Sequence, residues 1–170
     1  MNLLARLFRS APDPREALRP LWHRVVEVSR QPEWYAECGV ADSVAGRFDM
    51  ITAVLALVLL RLERDGDCGQ PGALLAELFV EDMDGQLRES GVGDIVVGKH
   101  IGKLMASLGG RIGAYRAALA GAAPLEDAVR RNVTLLDGSG PEALAERLRA
   151  LAAQLDSTPA EVLLAGRIAR

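Results

Sequence analysis

The sequence predicts an all-α fold, a single globular multi-helix domain of about six to eight helices. Alanine and leucine dominate, while aromatics make up only 4% of the chain. Apolar residues recur at steps of three and four, and β-branched residues rarely alternate with polar ones, so the helical period prevails over the strand period. Clusters of glycine, proline and aspartate punctuate the apolar stretches at helix-length intervals. With 170 residues the chain can bury about two thirds of its unfolded surface in one core.

Residues 1–13 are an N-terminal segment. Leu3, Leu4, Leu7 and Phe8 group together opposite Arg6 and Arg9, the pattern of a short amphipathic helix ended by Pro12 and Pro14. It reads either as a membrane-surface contact or as a terminus packed on the body. A helix follows over about 14–30, with Leu18, Leu21, Trp22, Val25 and Val28 inward and Pro32 closing it. Trp34 and Tyr35 are either core anchors or an exposed recognition patch; the core reading is favoured because large aromatics dominate small cores. After a loop over 40–46, a helix over about 47–64 is apolar on every side, which requires other helices around it. Asp65-Gly-Asp-Cys-Gly69 is a turn, and Pro71 suits the first turn of a helix reaching about Glu89. Further helices are expected over about 95–120, 124–136 and 142–155, with a last short one capped by Ser157 or Thr158 before Pro159. Residues 14–136 thus form the main helical domain, and 137–170 add C-terminal helices packed on it.

The stretch from Phe79 to Lys99 organises the rest. Phe79, Met83 and Leu87 share one helical face, and Asp84 and Arg88 can pair at i, i+4. Gly91 suits the left-handed position past a helix end, Gly93 frees the backbone, and Asp94 is a good N-cap. A helix–hinge–helix corner results. The charges around it exceed what the turn itself needs. Arg47, Asp49, Asp82, Asp84, Arg88, Glu89, Asp94 and Lys99 are therefore partner-binding candidates, since charges of both signs orient a partner. A structural role is the alternative: Arg88 ties Asp84 and Asp94 together, and Arg47 with Asp49 clasps another loop.

The helix over 95–120 carries two lines. Val97, Ile101, Leu104, Leu108, Ile112, Tyr115 and Leu119 form an apolar one. Gly98, Gly102, Ala106, Gly109 or Gly110, Gly113 and Ala117 form a line of small residues. Glycine costs about 1 kcal/mol per site against alanine in a helix interior, so such a line calls for a close backbone neighbour. Gly98 and Gly102 join the partner-binding candidates on the reading that this groove receives a client's hydrophobic helix. On the other reading it packs against the helix over 47–64.

Several chemistries are excluded by pattern. Gly93-x-x-x-x-Gly98-Lys99 satisfies a phosphate-loop spacing, but His100 stands where a magnesium-binding hydroxyl is needed and no strand precedes it. His23 and His100 lack a second ligand at helical spacing, and the acids at 81–94 lack a calcium-loop pattern. No nucleophile has a neighbouring base. The chain is expected to be no enzyme, with no catalytic residue, no cofactor and no metal. A net charge of −3 and a pI near 5.5 offer no bulk attraction to nucleic acid. Cys38 and Cys68 do not make a disulfide framework, which suits a reducing compartment. Met1–Arg9 has no secretory signal, though its lack of acids before Asp13 is a transit-peptide feature. The apolar run Met50–Leu60 is about half the ~20 residues a membrane span needs. A cytoplasmic location is expected, with at most a peripheral contact on the inner face of the membrane.

Asp82-Met-Asp-Gly-Gln-Leu-Arg-Glu-Ser-Gly-Val-Gly-Asp94 resembles the signature segment of the ubiquinol–cytochrome c chaperone family. Gly39-Val40-x-Asp42-x-x-x-Gly46-Arg47-Phe48-Asp49-Met50 is similar to a second family segment, and Gly110-Arg111-x-x-Ala114-Tyr115 and Arg131-Asn132 to two weaker ones. The likeness covers about 21–133. It implies a non-enzymatic assembly factor that binds newly made cytochrome b and promotes assembly of the bc1 complex. In mitochondria the family works with a small co-chaperone and near the ribosome. Two departures stand out: Gly98 occupies a position where the family more often has proline, loosening the helix start, and Ser90 replaces a common Met, removing an apolar contact. The alternative is a general helical adaptor with a different client.

Overall fold

Proline placement shapes the start of the protein. The computed structural model describes residues 13–64, 66, 69–89 and 94–168, with the side chains at 87, 94–97 and 99 outside that description. The amphipathic segment expected over Met1–Phe8 and the hinge glycines Gly91 and Gly93 lie outside the described residues. The helix expected over 14–30 divides in two: Pro14–Leu18 is a 3-10 segment, and α1 is Arg19–Ser29. Pro20 accounts for the division, because it lacks an N–H and fits only a first turn. α2, Pro32–Ala36, follows directly. Its Trp34 indole donates to the Val28 carbonyl at 2.7 Å, and its Tyr35 hydroxyl donates to the Ser29 carbonyl at 2.9 Å. These bonds join the Gln31 amide, which donates to the Val28 carbonyl at 3.2 Å, in capping the end of α1. Trp34 is a buried core anchor, and Tyr35 is half-buried.

The long helices are α3, Val44–Arg64; α4, Gly69–Glu89; and α5, Asp94–Leu119. Every residue of α3 from Asp49 to Leu59 is buried. α1, α4, α5 and α7 (Glu142–Ser157) all pack against it, which is why its sequence is apolar on all sides. Its first turn approaches the preceding loop closely: a Cβ at Gly46 would stand 1.9 Å from the Ala41 carbonyl oxygen. Near its end, buried Arg61 donates to the carbonyls of Leu155 at 3.0 Å and Thr158 at 2.9 Å, capping the C-terminus of α7 with a positive charge.

α6, Leu125–Asn132, stops short of the expected Leu136. Strand-like pairing wins there: the Ala41 amide donates to the Thr134 carbonyl at 3.0 Å and the Leu136 amide to the Gly39 carbonyl at 2.8 Å. α8, Ala160–Leu164, is the last helix of the described residues. Pro159 holds its cap position in place of the expected serine or threonine, and the hydroxyls of Ser157 and Thr158 donate back to the Gln154 carbonyl. Among the described residues the fold is all-α, one domain, with Val40–Leu135 the single β-bridge.

A buried polar network fixes α5 against this body. Asp49 of α3 and Arg111 of α5 are 8% and 6% exposed and form an ion pair, and Arg111 also donates to the Thr52 hydroxyl. Arg111 further donates to the Asn132 carbonyl at 2.7 Å, and its guanidinium stands 5.6 Å over the Phe48 ring. The second Asp49 oxygen accepts from the Thr134 amide at 2.9 Å and the Thr134 hydroxyl at 2.7 Å. Asp49, expected at a contact surface, is an interior residue instead, because both of its oxygens are committed here. Arg47 and Asp49 do not clasp one loop together but hold a different one each: exposed Arg47 pairs with Asp42 at 2.6 Å, holding that carboxyl below its ordinary range, while Asp49 holds Thr134.

Breaking a buried pair strands a charge, which typically costs roughly 3–5 kcal/mol. Arg111→Met and Asp49→Ala should each destabilise the protein by about that much in urea unfolding, and the double replacement by clearly less than their sum. Near-wild-type single variants would show that the pair holds nothing. Tyr115, one turn beyond Arg111, offers an independent check. It is fully buried and its hydroxyl has no hydrogen-bond partner among the described residues. Burial raises its pKa from 10.0 to about 12, against the opposing pull of the Arg111 cation. The folded state thus favours the neutral phenol, and the stability this brings is complete below pH 10 and lost as pH rises towards 12. Tyr115→Phe should leave stability at neutral pH unchanged or higher and should reduce the alkaline loss seen by thermal melts across that window. An identical alkaline profile would contradict the assignment.

Candidate functional site

The last turns of α4 carry the candidate charges, and their placement follows from helix geometry. Phe79 and Met83 are buried on one face, as their spacing requires. The Phe79 ring packs edge-on to Trp22 with centroids 6.0 Å apart and against Phe48 at 6.4 Å. The opposite face is left to charge. Arg88 pairs with Asp84 at 2.8 Å across one turn, the expected i, i+4 contact. Both are partly exposed, so the pair contributes a few tenths of a kcal/mol at most. α4 ends at Glu89 and α5 begins at Asp94, on either side of the expected hinge, while the side chains of Asp94 and Lys99 lie outside the described residues.

Asp82 and Glu89 sit elsewhere on the α4 surface. With Gly85 they form one wall of an open cleft of about 1040 Å³ between α1 and α4. Trp22, Val26 and Leu78 give it an apolar floor, and Arg30 and Glu33 line it opposite. Gly85 leaves that wall bare, since a Cβ there would meet nothing within 4 Å. One end is tied by Glu81, which pairs with Arg15 at 3.0 Å and Arg19 at 3.3 Å.

The second candidate surface is the outer side of α5. Its inner side holds buried Leu108, Arg111 and Tyr115, with Ile101, Leu104 and Ile112 partly buried against the core. The line of small residues turns away from them. At Gly98, Gly102, Gly109, Gly110 and Gly113 an added Cβ would meet nothing within 4 Å, and Ala106 is exposed. The reading in which this line packs against the helix over 47–64 is thereby overturned, because α3 meets the opposite line of α5. Met105 is 39% exposed beside the open line, and the sequence from Ile95 to Leu119 contains no acid. The result is a helix of 26 residues, ~39 Å long, with a smooth, apolar and basic outer side.

Residues 94–100 are helical, so the phosphate-loop spacing falls within α5 and not in a loop that cradles phosphate. Cys38 is buried, and burial pushes its thiol pKa up, away from nucleophilic use. Among the described residues no group of histidine, cysteine or carboxylate side chains could hold a metal ion. No helix among them is long and apolar enough to cross a membrane.

Sequence reasoning did not single out Arg111 and Thr134 as partners of Asp49, or Gly85 and Glu33 as cleft residues. A signal for the first existed: Asp49, Arg111 and Asn132 each fall in a segment carrying the family resemblance, and the fold brings all three segments to one network.

Comparison with known proteins agrees with this geometry. No curated protein matches the chain. The crystal structure of the Cbp3 homolog from Brucella abortus superimposes with a TM-score of 0.77 at 30% sequence identity, covering 98% of this chain and 95% of that one. The family model described as ubiquinol–cytochrome C chaperone matches residues 36–170. That match extends the likeness past 133, where the sequence motifs end, through α7 and α8. Four-fifths of the chain lies within it, and the chain belongs to the ubiquinol–cytochrome c chaperone family.

Proposed function

We propose that this chain is a non-enzymatic assembly factor that binds newly made cytochrome b and promotes assembly of the ubiquinol–cytochrome c reductase (bc1) complex. Family membership supports the role. The observation that supports the binding step is the open line of glycines on α5, whose Cβ positions meet nothing within 4 Å among the described residues. Helix-destabilising glycines at about 1 kcal/mol each, with no partner among the described residues, make sense if the partner comes from outside. Small residues let two helix backbones approach closely, the way helices associate in membranes. At ~39 Å, α5 is longer than the ~30 Å hydrocarbon core of a bilayer, so one client helix can lie along it. The absence of acids after Asp94 on this helix also suits work beside the anionic inner face of the membrane, with the client handed over there. A small co-chaperone would bind elsewhere on the body.

Gly102→Leu tests this directly. Leucine at an open helix position should leave the melting temperature unchanged or slightly raised. Recovery of cytochrome b with the tagged full-length protein should fall by about tenfold or more, a loss of about 1.4 kcal/mol or more. Undiminished recovery would contradict the reading, and a large fall in melting temperature would mean that the line packs inside the molecule.

A further inference from the structure

We infer that the cleft between α1 and α4 binds a basic, amphipathic segment of the membrane-protein client, the kind of lysine- and arginine-rich stretch that flanks a membrane-spanning helix. The inference rests on the chaperone reading above but concerns a different surface. It begins with the charges in the cleft. Glu81 is already paired with Arg15 and Arg19, and Arg147 with Glu37 at 3.0 Å. Asp82, Glu89 and Glu33 have no ion-pair partner among the described residues. Arg30 and exposed His23 are the basic groups left to face them. Carboxylate therefore prevails over free cation on the walls.

Two of these acids are placed where a cation is wanted. One oxygen of Glu33 is shut off from solvent and accepts no hydrogen bond among the described residues, so the charge of this part-exposed carboxylate is poorly compensated and a cation beside its exposed portion would stabilise it. Glu89 closes the C-terminus of α4, where the helix dipole disfavours a negative charge and favours a positive one. Between the acids, Trp22, Val26 and Leu78 offer an apolar floor, and Gly85 removes the side chain that would otherwise fill the wall. A ligand with lysines or arginines on one side and aliphatic side chains on the other meets each of these features. Membrane proteins carry such segments on the cytoplasmic ends of their spans. The cleft would then hold the polar flank of the client while the outer side of α5 covers its apolar span.

The test uses the full-length chain and two fluorescent peptides of lysine interleaved with leucine, and glutamate interleaved with leucine, read by anisotropy. The lysine peptide should bind and weaken as salt rises, and the glutamate peptide should bind about tenfold less tightly or worse. Asp82→Lys/Glu89→Lys and, separately, Gly85→Leu should each weaken the lysine peptide by about tenfold, with Asp127→Lys on α6 as an unaffected control. Melting temperatures of the cleft variants should equal or slightly exceed that of the wild type, since leucine replaces a helix-interior glycine and lysine suits the C-terminus of α4. Equal binding of both peptides, or equal binding by wild type and the Asp82/Glu89 variant, overturns the inference. Arg6→Glu/Arg9→Glu identifies a competing occupant: if it tightens the lysine peptide by about tenfold, the cleft serves the chain's own N-terminal segment and the assignment to a client fails. In cells, the Asp82/Glu89 variant should recover less cytochrome b than wild type, whereas undiminished recovery overturns the client assignment. If wild type itself recovers none, the chaperone reading fails with it, and the peptide arm still reports on the cleft separately.

Discussion

The structure depends on one constraint: a carboxylate and a guanidinium, Asp49 and Arg111, are buried together, and among the described residues all of their charged atoms but the Arg111 Nε find a partner. An ion pair out of water gains little net stability, because desolvating both charges offsets their attraction. What it does impose is position. Asp49 can be satisfied only if α5 presents Arg111 and if the chain after α6 brings the Thr134 amide and hydroxyl to its other oxygen. Arg111 in turn holds the Asn132 carbonyl, the last residue of α6. Three separate elements are thus set against α3 by one network, and α5 has a single rotation about its own axis that satisfies it.

That rotation decides the surface. With Leu108, Arg111 and Tyr115 turned inward, helical geometry sends Gly98, Gly102, Ala106 and Gly113 outward. The glycines of α5 therefore do not serve its packing against the other described residues. The same logic applies on α4, where burying Phe79 and Met83 leaves Asp82, Gly85 and Glu89 facing the cleft. In both helices the interior is specified by a few buried side chains, and the outward residues are free to be chosen for something other than stability.

Local features were legible in the sequence, and long-range ones were not. The Phe79–Met83 face, the Asp84–Arg88 pair and the all-round burial of α3 follow from helical spacing alone. The end of α6 at Asn132 does not, because the competing partner for residues 134–136 is the loop at 39–41, far away in sequence. Pro20 was a readable signal for the break between the 3-10 segment and α1, since its missing N–H confines it to a first turn. Asp49 reads as a partner-binding candidate because, with Arg47, it is a charge that the local turn does not require. Its true partner stands across the core on α5, and spacing carries no trace of such a contact. The small-residue line was visible as a pattern, but which way it faced required knowing where Arg111 points.

The account makes its most direct commitment about the outer side of α5. Photo-crosslinking in cells from single positions tests it: Met105 and Ser107 on that side, against Glu161 on α8 as a reference surface. The account predicts adducts with newly made cytochrome b from the two α5 positions and none from Glu161. Adducts from Glu161 with none from α5 would contradict it.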